Sequence, residues 1–167
     1  ISQNLTLQGG YVNGSWNATP DPDVNPTVLD AQSNGRVVYI PSGVDVTLEG
    51  LTMQNGFSTG NGGGIYDADG ALTLLNSIVQ QNQAQDDGGG VWKASGTLIL
   101  TGTQVLSNTA EQDGGGFYVS KTLVMNLPCC TKTRFSSIPR QSMPRTFSRS
   151  HAHDDSDPVS STYVIPR

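Results

Sequence analysis

Gly62-Gly63-Gly64-Ile65-Tyr66 returns as Gly88-Gly89-Gly90-Val91-Trp92 and again as Gly114-Gly115-Gly116-Phe117-Tyr118, and the two steps are equal (88 − 62 = 114 − 88 = 26). A fixed period of this length marks a chain built by stacking one supersecondary unit on the next. Other positions keep the same step. Leu72 pairs with Leu98, Leu74 with Leu100, Val79 with Val105, Asn82 with Asn108 and Ala84 with Ala110. One step back lie Val46, Leu48 and Met53, so an earlier unit is present without its glycine block.

Within each unit the apolar residues alternate, which is the period of a strand and not of a helix. Each unit therefore holds several short strands joined by turns, and coiling sets like residues over like about 4.8 Å apart. The pattern predicts an all-β, right-handed single-stranded parallel β-helix, a solenoid with one repeat to each turn. Ile65, Val91 and Phe117 should point inward with the Leu-x-Leu residues. Asn82 and Asn108 should form a ladder, each amide bonded to its copy in the next turn. Gly62, Gly63, Gly64, Gly88, Gly89, Gly90, Gly114, Gly115 and Gly116 should mark a corner where backbones approach closely.

The ends are less regular. Residues 1–45 read as the opening of the solenoid, with strands at Leu5-Thr6-Leu7, Thr27-Val28-Leu29-Asp30-Ala31 and Arg36-Val37-Val38-Tyr39-Ile40. A long loop at 12–27, rich in Asn, Asp, Pro and Gly, separates the first two. Loops of this kind on a rigid scaffold are common binding surfaces. Residues 46–125 are the regular turns. Residues 126–167 hold none of the 20 glycines, six of the nine basic residues and five of the nine prolines. They carry net +3, against −8 for residues 1–125. They read either as a genuine basic tail or as the product of a reading-frame shift near Met125. The shift is the favoured reading, with loose packing expected of this stretch either way.

Composition narrows the function classes. Charged residues are 14% and hydrophobic residues 35%, which does not suit a disordered chain. A net charge of −5 argues against nucleic acid as a partner. There is no apolar run long enough for a transmembrane helix. The chain opens on Ile1 without a signal peptide, which suggests a fragment or a processed product. Cys129 and Cys130 are adjacent and offer neither a disulfide framework nor metal spacing.

On the motifs Gly62 to Ile65, Gly88 to Val91 and Gly114 to Phe117, and on Val79-Gln80-Gln81-Asn82 and Val105-Leu106-Ser107-Asn108, the chain resembles a known family. These are the right-handed β-helix repeat proteins related to the chlamydial polymorphic outer-membrane proteins, which pair Gly-Gly-Ala-apolar with Phe-x-x-Asn. Gly stands here for their Ala and Val for their Phe. The likeness covers residues 1–125. It implies a secreted or surface-displayed bacterial protein, adhesin-like, at the outer membrane. The fold is shared with pectate-lyase-like enzymes and hosts many activities.

Three groups of residues carry candidate chemistry. Asp87 and Asp113 stack in one column above Asn61, where carboxylates could bind Ca²⁺; the plainer reading is that they cap the turn before each glycine block. Tyr66, Trp92 and Tyr118 form an aromatic column that could stack a glycan or act as a structural ladder. Asp67, Asp69, Asp86, Lys93 and Lys121 are the material from which a polysaccharide lyase or glycoside hydrolase site would be made, with solvated turn residues as the plainer reading for Asp67 and Asp69. No catalytic residue is assigned, and His151 and His153 lie in the tail. The expected function is a non-enzymatic stalk or adhesin-like module that meets a glycan or another cell-surface molecule. The alternative is a fragment of a carbohydrate-active β-helix enzyme.

Overall fold

A computed structural model describes residues 3–15, 17–127 and 161–164, with residues 125–127 and 161–164 described by their backbone. Four turns of a parallel β-solenoid follow one another along the chain. The first holds β1 (Leu5–Gln8), β2 (Thr27–Asp30) and β3 (Val38–Ile40). The second holds β4 (Val46–Glu49), β5 (Leu51–Gln54), β6 (Phe57–Ser58) and β7 (Ile65–Asp67). The third repeats it as β8 (Ala71–Leu75), β9 (Ile78–Gln80), β10 (Gln83–Ala84) and β11 (Val91–Lys93). The fourth is β12 (Thr97–Thr101), β13 (Gln104–Leu106), β14 (Thr109–Ala110) and β15 (Phe117–Val119). Then β16 (Thr122–Leu127) opens another turn, and β17 (Ser161–Val164) lies antiparallel on it. The described residues contain no helix, and so none long and apolar enough to cross a membrane.

Equivalent strands pair in parallel, giving four sheets along the axis: β1-β4-β8-β12-β16-β17, β2-β5-β9-β13, β6-β10-β14 and β3-β7-β11-β15. The register is the one the repeat predicts. Leu72 sits on Leu98, Leu74 on Leu100 and Val79 on Val105. Alternation sends Leu72, Leu74, Leu98, Val79, Ile65 and Val91 into the core, each fully buried. Full burial of one such side chain contributes about 1.5–3 kcal/mol, so the columns, not any single turn, hold the solenoid together.

Corners need backbone that ordinary residues avoid. Gly62, Gly88 and Gly114 share φ of 67°. A Cβ on Gly63 would come within 2.2 Å of the Gln83 carbonyl oxygen, so the middle glycine is required by close approach. Another corner is made without glycine: Asn55, Gln81 and Ser107, which share one column of the repeat, have φ of 55°, 56° and 53°.

The asparagine ladder forms as expected. Asn82 Nδ2 donates to Asn108 Oδ1 at 2.9 Å and to the Met53 carbonyl at 3.2 Å, while Asn82 Oδ1 accepts from the Gly56 amide at 2.7 Å. Asn108 repeats the contact on the Val79 carbonyl at 2.9 Å. The ladder therefore closes a corner, satisfying backbone groups that would otherwise be buried without partners.

The first turn departs from the period. Between β1 and β2 lie residues 9–26, where later turns use one or two residues. This insertion contains most of the loop expected at 12–27. It bonds to itself: Asp21 N donates to the Gly10 carbonyl at 2.8 Å, and Asp21 Oδ1 caps the amides of Asp23 and Val24. β3 begins at Val38, later than the Arg36 start the sequence predicts, because the Val37 and Val38 amides both turn onto the Gly64 carbonyl. The readings of a frame shift and of loose packing after Met125 fall outside the described residues, apart from the backbone of β16 and β17.

Asn82→Ala strands the Gly56 amide in the core. With buried unsatisfied groups costing about 1–3 kcal/mol each, the variant should unfold in urea with about 3 kcal/mol less stability. Thr6→Ala, on an exposed position of β1, should stay within about 0.5 kcal/mol of the parent.

Candidate functional site

Strand alternation decides which side chains of β3, β7, β11 and β15 meet solvent. Ile65 and Val91 turn inward, so Tyr66 and Trp92 turn outward, and the register places Tyr39, Tyr66, Trp92 and Tyr118 in one column. Tyr39 and Tyr66 stack at 5.1 Å between centroids with 11° between planes; Tyr66 and Trp92 stack at 4.6 Å and 24°. The Arg36 guanidinium lies 5.0 Å from the Tyr66 centroid and donates through Nε and Nη2 to the Asn61 carbonyl at 3.1 and 2.9 Å. The rings turn their faces to one another, so the column shows solvent chiefly ring edges. A sugar stacks on a ring face, and the stacked geometry serves turn-to-turn cohesion better than sugar binding. The described stack ends at Tyr39, which is 61% exposed.

The acidic column caps the turns. Asp87 N donates to Asn61 Oδ1 at 3.0 Å, and Asp113 N donates to Asp87 Oδ1 at 2.9 Å. Asn61 and Asp87 thus each satisfy the amide of the turn above. Among the described residues no three His, Cys, Asp or Glu side chains gather as a metal site would require. Asp86 also reaches across one turn, accepting from Gln112 Nε2 at 2.9 Å.

Asp67 departs from the solvated turn residue that the sequence predicts. It is the inward third residue of β7 and is fully buried. Lys93, one turn above, is also fully buried, and its Nζ donates to Asp67 Oδ2 in an ion pair. The same column has Ile40 below and Val119 above. Asp69 N donates to Asp67 Oδ1 at 3.1 Å. Burial pushes the Asp67 carboxyl up from its ordinary value, against the lowering by the Lys93 hydrogen bond and charge. Asp69 is the surface residue expected. The Ser95 hydroxyl, the Gly70 amide and the nearby Lys93 and Lys121 charges hold it below its ordinary value.

Of the five residues proposed for lyase or hydrolase chemistry, then, two pair inside the core. Asp69 and Lys121 sit at the next corner, and Asp86 sits at another. They do not line one groove. Sequence reading missed Tyr39, which stands out of step with the period that links Tyr66 to Trp92, in a turn without the glycine block. It also missed the Asp67–Lys93 pair, although alternation from Ile65 and Val91 already pointed both residues inward. Comparison with known proteins found no matching family model, no similar curated protein and no similar solved structure.

Two outcomes follow. Lys93→Met leaves Asp67 buried without its cation and should lower the unfolding free energy by about 3–5 kcal/mol in denaturant titration. Asp30, bonded by Gln54, the Gln32 amide and Asn55, and Asp69 are both held below 3.8 in the fold. In acid the unfolded chain therefore binds more protons, so their contribution is full above 3.8 and is lost as the pH falls through the lower folded values. The double variant Asp30→Asn, Asp69→Asn should flatten the fall in melting temperature below that pH.

Proposed function

We propose that the chain is a non-enzymatic module of a surface-displayed or secreted bacterial protein, a rigid right-handed β-helix that spaces or presents a binding surface in the manner of an adhesin. The observation that carries this reading is the use made of the charged side chains. Asp67 and Lys93 are paired in the core, the Asp87 carboxylate accepts the next turn's amide, and Asp86 is bonded to Gln112. These groups build the stack, and general acid–base chemistry needs them converging on one substrate position. The glycine-block and asparagine motifs shared with the chlamydial outer-membrane repeats support a cell-surface setting.

The contact surface in this reading is the insertion in the first turn. Val24 in the insertion is 72% exposed and Val12 is 45% exposed, the kind of apolar display that a partner covers. The partner class is a glycan or another cell-surface molecule. Immobilised protein should retain cells or glycans without releasing shortened polysaccharide, and Val24→Asp should weaken retention at least tenfold while leaving the melting temperature unchanged. Polysaccharide cleavage that disappears in Asp87→Asn or Asp69→Asn would replace this reading with an enzymatic one.

A further inference from the structure

We propose that Lys93 and Asp67 condense to an intramolecular amide that staples the third turn of the solenoid to the second. The two groups face each other across one turn, Nζ donating to Oδ2, with both side chains closed off from solvent. Their column neighbours are Ile40 and Val119. An amine and a carboxyl held in contact react as one molecule, with effective concentrations that reach about 10⁵–10⁸ M in well-oriented cases.

Burial also removes what prevents this reaction in water. There, a carboxylate and an ammonium are each stabilised by hydration, and condensation has to strip it. In the core that hydration is already gone, and the neutral amide escapes the cost of buried charge.

The atoms balance without a co-reactant. The Lys93 ammonium first passes one proton to Asp67 Oδ2, a transfer aided by the burial that raises the carboxyl. The Nζ lone pair then attacks Cγ and forms the Cγ–Nζ bond, while the carbonyl electron pair moves onto Oδ1. The Asp69 backbone N–H already donates to Oδ1 at 3.1 Å and so faces the developing oxyanion. As the carbonyl re-forms, the Cγ–Oδ2 bond breaks. Oδ2 leaves as water with a second proton from the nitrogen. Carboxylate and ammonium become amide and one water, with no oxidation or reduction.

Such a link has a use in this architecture. A solenoid turn touches only its neighbours, and the chain's two cysteines are adjacent in sequence. A covalent tie between successive turns would resist unzipping where hydrogen bonds alone would not.

The test is the intact mass of the purified full chain, followed by chymotryptic mapping, which cuts between the two residues. The expected result is a mass short by one water and a branched peptide joining Lys93 to Asp67. Lys93→Arg keeps the cation but lacks the primary amine; it should show the full sequence mass and a lower melting temperature. Full mass in the parent protein, with Asp67 and Lys93 both in linear peptides, overturns the proposal. So does a missing water that persists in Lys93→Arg without a branched peptide, which would mark a succinimide at one of the Asp-Gly steps, Asp69-Gly70, Asp87-Gly88 or Asp113-Gly114. Should Lys93→Arg fail to fold, the parent's peptide map alone decides.

Discussion

In-register stacking of equivalent residues is the constraint on which this structure depends. In a parallel solenoid an inner turn has a counterpart above and below at each position, so each position must tolerate its own kind as a neighbour. Leucine and valine do so inside by packing, and asparagine does so by donating to one copy and accepting from a backbone amide. Aromatic rings do so by stacking. Aspartate has the poorest claim, because like charges repel. Here Asp87 meets the turns on either side through backbone amides rather than through another carboxylate. In the core, Asp67 meets Lys93 instead of a second Asp.

That constraint also explains how much of the fold is legible in the sequence. The Leu72–Leu98 and Val79–Val105 columns and the Asn82–Asn108 ladder are legible because a shared period and a two-residue alternation fix both register and facing. The glycine corner is legible because glycine announces the backbone it permits. The corner at Gln81 and Ser107 is not, since neither residue signals the positive φ that it shares with Asn55 in the same column. The first turn is legible only in outline. Its strands meet the second at three unequal offsets, Leu5 on Val46, Thr27 on Leu51 and Val38 on Ile65, so the arithmetic that aligns later turns does not reach Tyr39 or Val38.

The candidate site is less legible, for a physical reason. Composition marks Asp and Lys as surface residues, and the glycine nearby makes Asp67 look like a turn. Geometry overrules composition here, because β7 continues for one residue past Tyr66 and period-two facing carries that residue inside. Its burial is tolerable because the position one turn above supplies a cation. Ile40 and Val119 at the flanking positions show that the column accepts aliphatic residues, so the pair is a departure from the core's own pattern rather than a requirement of the fold.

Function in such a molecule has to be sought where the repeat is broken. Inside the regular turns many polar side chains answer to the turn above or below, and a residue so committed is poorly placed to answer to a ligand. The insertion at residues 9–26 is under no such obligation. It closes on itself through Asp21 and holds Val12 and Val24 outward. Among the described residues, the large exposed apolar side chains, Leu7, Val12, Val24, Val28 and Tyr39, all belong to the first turn. In the proposed reading the second to fourth turns supply stiffness and spacing, and the insertion supplies the surface on which recognition acts.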